Sequence, residues 1–417
     1  MTRYTKILRY AGALATVALL SVAATSCRDE GDELIDPNDT RYYTLTEQFD
    51  RVWHGINNSY AWWSIDPTDW DAAYKKYRPM IEALDAQDEV ATAALREIYE
   101  EMCGTLIDHH AGIYVENLKV AADDPDGRHV WVQPGLIEAK KRDYYHDGFD
   151  EQELADMFGS TYVETGRATQ AKEFWCANEY GSMDHFFTAL IDGDIVYLRL
   201  SGFALSGYLV GDDEETAAEV EALMENYITM ATTLDDLKGV IIDVRSNGGG
   251  YNYDQNFVTA PLIGEPLLVG YFRSKVGLGR YDLGPWTPYT LHPLPDGHRA
   301  APCPVAVLAD INSVSNAEIT TIIAKQMPMG MVAGERTFGG TGCLTSDFEM
   351  YYNGTFGDET FNKHYVYTTN YMFKDGTGHI YEGVGTEPDL ELLFDADAYA
   401  SGDDSQLRRL IDHLHGL

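Results

Sequence analysis

Along this chain the apolar positions keep changing their period, and each change marks a new element. Between residues 42 and 105 they recur every three or four positions. Phe49, Val52, Trp53 and Ile56 share one face of TLTEQFDRVWHGINNSYAWW, which predicts an amphipathic helix. Asp66–Pro67 breaks it, and DWDAAYKKYRPMIEALD and DEVATAALREIYEEMCGTL read as two further helices. The segment LIDHHAGIYV then leads from the helical region into a strand. Residues 116–184 are turn-rich, with one helical patch, EQELADMF. In HFFTALIDGDIVYLRLSGF two strand-length apolar runs meet at Asp192–Gly193, a hairpin signal. Residues 212–233 form a helix expected to turn Ala218, Val220, Leu223 and Tyr227 inward. GVIIDVRSNGGG is a buried strand that stops in three glycines. PVAVLAD, INSVSNAEITTIIAKQMP and GMVAGERTFGGTG then read as strand, turn with helix, and strand. Alternation of this kind predicts helices packed on a largely parallel sheet. Residues 346–393 are β-rich, with a hairpin expected at Asn353–Gly354, and a helical tail follows.

The first 26 residues follow another pattern. Arg3, Lys6 and Arg9 precede an apolar run, Ala11 to Ala24, too short to span a bilayer comfortably. Small residues lead to Cys27, so the segment resembles a bacterial lipoprotein signal with Cys27 as the lipid-bearing residue; ordinary secretion with cleavage nearby is the alternative. An acidic stretch, RDEGDELIDPND, reads as a disordered tether, similar to those of surface-exposed lipoproteins. Removing the leader takes the formal charge from −37 to about −40. A chain this acidic repels nucleic acid and anionic membrane surfaces. It is expected to meet a membrane only through the lipid. Cys103, Cys176, Cys303 and Cys343 match no zinc spacing, and a Cys303–Cys343 bridge is one pairing to test. No H-E-x-x-H cluster occurs, so neither a metal nor another cofactor is expected.

The candidate chemistry lies where strands hand over to helices. Ser315 stands at the start of the helix after PVAVLAD, beside N–H groups that have no partner inside the helix. A serine there is ordinarily a cap; as a nucleophile it needs a base, because its hydroxyl is weakly nucleophilic near neutral pH. Gly248, Gly249 and Gly250 offer bare backbone N–H groups, and Asp243 and Arg245 are placed to brace that loop. No lysine follows at phosphate-loop spacing. The adjacent His109 and His110 supply a group whose pKa suits proton transfer. Trp62, Trp63 and Trp70 are more readily core than cleft, although they remain candidates to line one.

Four pieces stand in order: Leu106-x-Asp108-x-His110, Asp243-x-Arg245-x-Asn247-Gly-Gly-Gly, Ser313-x-Ser315-x-Ala317-Glu318 with Gly334-Glu335-x-Thr337-Phe338-Gly339, and Glu382-Gly-x-Gly-x-x-Pro388-Asp389. Together they resemble the tail-specific (C-terminal processing) and tricorn-type serine peptidases. The resemblance implies an α/β, crotonase-like (ClpP/crotonase) core with an N-terminal helical subdomain; members often carry a PDZ module, but residues 116–185 show no clear Gly-Leu-Gly-type loop, so no clear PDZ module is expected. It implies Ser315 as nucleophile, and Asn316 with Gly248 or, best fitted, Gly249 as oxyanion donors. Tail-specific members carry a lysine base where this chain has Gly340. The implied base is therefore His110, oriented by Glu382, as in tricorn-like members; His109 replaces the serine that precedes that histidine. The expected division is 1–26 signal, 27–41 tether, 42–105 helical subdomain, 106–184 histidine turn with a short insert, 185–395 catalytic core and 396–417 C-terminal helix. The implied activity is hydrolysis of peptides or unfolded protein by an exported protein, lipid-anchored in the outer membrane and facing the periplasm or the cell surface. A catalytically inactive peptide- or ligand-binding protein on the same fold is the alternative. Oligomeric state is not legible.

Overall fold

In a computed structural model, residues 35–178, 182–294, 300–344, 354–358 and 360–417 are described. Cys27 and the leader lie outside them, as does Asn353 of the expected hairpin. The N-terminal region is helical: Leu45–Ser59, Trp70–Asp85 and Thr92–Cys103. Thr44 opens the first helix by accepting from Glu47 N–H, and Asp69 opens the second by accepting from Ala72 N–H; such caps satisfy N–H groups with no partner inside the helix. Phe49, Val52, Trp53 and Ile56 do face one core. Trp62, Trp63 and Trp70 are buried in it as well. Trp53 and Trp70 stack, and each indole N–H is donated to the other residue's carbonyl.

A four-stranded antiparallel sheet closes this region. It places Gly112–Glu116 between His129–Val132 and His364–Tyr367, with Thr355–Gly357 outside the latter. The histidine turn is thereby sewn to a strand from near the end of the chain.

The central sheet has seven strands. In spatial order they are Leu390–Glu391, Gly330–Gly334, Val305–Ala309, Gly239–Asp243, Ile195–Leu200, Met183–Ile191 and Ala168–Ala177. The first five are parallel, and the last two join antiparallel. Both faces are covered, so the central parallel strands are largely apolar, with Arg199 and Asp243 near their ends. Val240, Ile242, Val305 and Val307 face the helices Glu214–Thr233 and Asn316–Gln326. Ile241, Ala306 and Leu308 face the tail helix Ser405–His415 through Leu407, Leu410 and Leu414. Burying each such side chain contributes roughly 1.5–3 kcal/mol. On the long helix Ala218 is exposed, and Met224, Met230 and Ala231 are buried with Val220, Leu223 and Tyr227. The four later cysteines are free thiols, so no Cys303–Cys343 bridge forms. Cys303 enters the core just before a strand, whereas Cys343 pairs its backbone with Tyr371. Among the described residues no helix is long and apolar enough to cross a membrane.

Candidate active site

Ser315 begins the helix Asn316–Gln326, but it does not cap it: its hydroxyl makes no cap hydrogen bond. Its backbone lies at φ 59°, ψ −120°, a region that costs a non-glycine residue on the order of 1–3 kcal/mol. The surroundings impose that geometry. Ser315 N–H donates to Gly340 O (2.9 Å), Val314 N–H to Asn247 O (2.9 Å) and Phe338 N–H to Ser313 O (3.2 Å). Ser313 is fully buried, and its hydroxyl donates to Val244 O at 2.7 Å. Of the two serines, Ser313 therefore ties the turn down while Ser315 presents its hydroxyl at the rim. Hydrolases hold nucleophilic serines on strained strand-to-helix turns of this kind.

The glycine loop packs directly on this serine. A Cβ at Gly249 would stand 2.4 Å from Ser315 Cβ and 2.9 Å from Asn316 N, and Gly249 has φ +97°. Only glycine permits that approach. Gly249 N–H is already donated to Asn247 Oδ1 at 2.8 Å. This departs from the expected role of Gly249 as the loop's donor: its position is dictated by packing, and Gly248 is the glycine with open space before it. Beneath the loop the buried Arg245 pairs with the buried Asp243 and the partly buried Asp404. Asn316 is fixed by donating Nδ2–H to Tyr251 O and accepting from Gln255 Nε2–H.

The histidine turn reaches the same place from the N-terminal region. Asp108 accepts from His110 N–H at 3.0 Å and from Thr369 N–H at 2.7 Å. Thr369 Oγ1 in turn accepts from the Trp62 indole N–H at 2.6 Å. His109 is buried, with Nδ1–H donated to Phe338 O at 2.9 Å, because a carbonyl can only accept. His110 is different: its Nδ1 is shielded from solvent and has no partner. A Cβ at Gly340 would lie 3.2 Å from that nitrogen and 3.2 Å from Val314 Cγ1. Gly340, whose carbonyl binds Ser315, is thus also the floor beneath the His110 ring. A lysine at 340, as in tail-specific members, would begin with its Cβ already crowding that ring. No hydrogen bond joins Ser315 Oγ to His110 among the described residues; the two meet across Gly340.

Glu382 completes the cluster from the far end of the chain. Its Oε1 accepts from His109 N–H (3.0 Å), and its Oε2 accepts from Thr341 N–H (2.8 Å) and Gly342 N–H (2.7 Å). One ring nitrogen of His110 and one oxygen each of Asp108 and Glu382 lie within 4.8 Å of one another. Glu318, buried on the serine's helix, accepts from Thr337 Oγ1–H, Gly339 N–H and Gly340 N–H. Burial sets the electrostatics. It lowers His110 to about 4, aided by His109, and raises Asp108 to about 6 and Glu318 to about 7. Glu382 is raised well above the usual carboxylate range by burial and then by Asp108. Asp108 and Glu318 stood in the sequence motifs without an assigned role. The D-x-H spacing is the signal for Asp108, since an aspartate readily accepts from the backbone two residues on. Thr369 and Thr341–Gly342 carry no comparable local signal.

Known proteins share part of this sequence and much of this fold. Residues 194–392 match the sequence model of Peptidase family S41. A tricorn protease homolog of Saccharolobus solfataricus is 25% identical over 175 residues, covering 42% of this chain and 14% of that protein. Tricorn protease homolog 1 of Streptomyces coelicolor is 23% identical over 443 residues, covering 94% of this chain and 38% of that protein. The chain therefore spans well under half the length of these relatives. A putative peptidase from Parabacteroides merdae superposes with a TM-score of 0.60 at 20% identity, covering 89% of this chain and 97% of that one. Mature CPAF gives 0.55 at 14% identity over 89% and 97%. At these identities the likeness to the solved structures is one of fold.

Proposed function

We propose that this chain, which belongs to the tail-specific and tricorn-type peptidases of family S41, hydrolyses peptide bonds through an acyl-enzyme on Ser315. The observation that carries the reading is the strained, uncapped Ser315, held by backbone bonds to Gly340 and Asn247 segments on either side. A serine whose only task was helix capping would not need that conformation.

In the proposed cycle His110 accepts the Ser315 proton as Oγ attacks the carbonyl. The developing oxyanion is received by Asn316 N–H at the helix start and by Gly248 N–H, since Gly249 N–H is committed to Asn247. The imidazolium formed is held beside the acceptor oxygens of Asp108 and Glu382, which offset the burial that disfavours its charge. Collapse expels the amine with the proton from His110, and water, activated by the same ring, frees the serine. Ser315 and His110 close on each other when substrate fills the cleft, a tightening common between apo and Michaelis states. Peptides or unfolded protein segments are the substrates. The protein acts outside the cytoplasm, lipid-anchored through Cys27 in the outer membrane.

A fluorophosphonate probe should label the wild type at neutral pH and leave Ser315→Ala unlabelled, with His110→Ala labelled orders of magnitude more slowly. Folded wild type that never reacts would sink the reading. It would leave the alternative that the unjoined Ser315–His110 pair favours: a peptide-binding protein on an inherited peptidase fold. Incorporation of labelled palmitate, lost in Cys27→Ala, tests the anchor.

A further inference from the structure

We infer that Asp108, His110 and Glu382 form a site for a divalent transition-metal ion, Zn²⁺ by donor chemistry, whose occupancy switches the serine off. Among the described residues this is the one group of three or more such side chains whose ligand atoms converge, within 4.8 Å of one another. Local sequence did not suggest it, because the ligands come from two distant segments: Asp108 with His110 at i, i+2, and Glu382 in no motif of metal spacing.

Two further features point to a cation. The first is His110 Nδ1, shielded from solvent and without a partner; a buried ring nitrogen in that condition costs free energy. The second is the charge balance. The buried Asp243 faces two guanidinium groups, Arg245 and Arg199. Asp108 and Glu382 are equally buried, yet the partners found for them are backbone N–H groups and threonine hydroxyls. Neither forms an ion pair with a lysine or arginine among the described residues. Buried carboxylates ordinarily find a cation or a proton, and these two lie beside a third, Glu318. Each of Asp108 Oδ1 and Glu382 Oε1 accepts a single N–H bond in the geometry above, so each keeps a lone pair for a metal.

One nitrogen and two oxygens are a tetrahedral zinc set with the fourth position left to water. Ligands at zinc distances stand about 3.4 Å apart, so the three side chains need draw in by roughly 1 Å. Occupancy ties up the ring that the serine needs. That regulatory half rests on His110 as the base; the binding half does not.

The experiment therefore separates them. Chelator-treated Ser315→Ala protein, which keeps all three ligands, is titrated with ZnCl₂ by calorimetry. One equivalent should bind, and His110→Gln should weaken it at least tenfold. His110→Gln is the least disruptive variant, because its ring holds no side-chain hydrogen bond; Glu382→Gln is the second, with its melting curve checked. Co²⁺ should give a visible absorption band in Ser315→Ala that His110→Gln lacks. With the wild type, saturating Zn²⁺ should abolish fluorophosphonate labelling and EDTA should restore it. Failure to take up one equivalent, or uptake unchanged in both ligand variants, overturns the site. Labelling that persists at saturation overturns the switch. Because the titration uses a variant without the nucleophile, it reads the same whether or not the wild type proves to be a peptidase.

Discussion

Alanine at Gly249 and alanine at Gly248 are one atom each, one residue apart, and the structure assigns them opposite outcomes. At 249 the added Cβ would sit 2.4 Å from Ser315 Cβ and 2.9 Å from Asn316 N. Carbon atoms in contact prefer about 3.5–4.0 Å, so serine and loop must part by roughly 1 Å. The backbone at φ +97° adds strain of about 1–3 kcal/mol. A 1 Å misplacement of a reacting group costs about 100-fold in rate. Gly249→Ala should therefore lose about two orders of magnitude in fluorophosphonate labelling rate and melt a few degrees lower. At 248 nothing lies within 4 Å of the new Cβ, and alanine keeps the N–H that the oxyanion needs. Gly248→Ala should label within a few-fold of wild type, with stability unchanged or raised by about 0.4–1 kcal/mol. Stopped-time labelling and thermal melts on the same preparations decide it. Two variants with the same labelling rate, or Gly249→Ala at the wild-type rate, would refute the packing argument.

Other perturbations test other parts. Gly340→Ala pushes a Cβ to 3.2 Å from His110 Nδ1; kcat/KM should fall roughly ten- to a hundredfold with little change in melting temperature. Ser313→Ala should keep probe labelling but lose about 1–3 kcal/mol in denaturant unfolding, because Asp310 N–H loses its acceptor. Arg245→Leu leaves Asp243 and Asp404 without their common cation and should cost about 3–5 kcal/mol, seen as a folding defect and not as a selective loss of kcat. For the metal-free enzyme, a base works in its neutral form, and burial lowers His110 from 6.5 to about 4. Activity should hold as pH falls through 6.5 and be lost toward pH 4; an acid limb at 6.5 or above in the kcat/KM profile would contradict this.

What could be read beforehand follows from how local each signal is. The turn at Ser315 was legible because a buried strand, a polar turn and an amphipathic helix sit within some twenty residues. The parallel sheet was legible because strands covered on both faces leave unbroken apolar runs. The long helix is legible, but the orientation of Ala218 is not: alanine carries too little apolar surface to settle it, and the longer Met224 and Met230 settle it instead. The tryptophans looked available to a cleft, yet Trp62, Trp63 and Trp70 close a core against Thr369 and one another. Long-range polar bonds were the illegible part. Asp108 meets Thr369 across 261 positions, and Glu382 meets His109 across 273. No periodicity encodes such pairs.

Gly340, proposed as neither nucleophile nor base, is where the groups of the proposed site meet. The serine's strained backbone is fixed by Gly340 O, the His110 ring rests over the Gly340 Cα, and Glu318 holds the Gly340 N–H. One residue is thus clamped on three sides by groups from two segments, the serine turn with its helix and the histidine turn. A side chain there displaces the ring; a ring there leaves no room for a side chain. The early segment that brings His110 is itself held in register, Gly112 opposite Tyr367 and Val115 opposite His364, and a slip of one residue would turn every side chain of that strand to its other face. The peptidase core matched at residues 194–392 contains Ser315 and Glu382 but not His110. In the proposed cycle the nucleophile and the bare glycine floor come from that segment and the proton acceptor comes from the N-terminal region, so the proposed reactivity belongs to neither part alone.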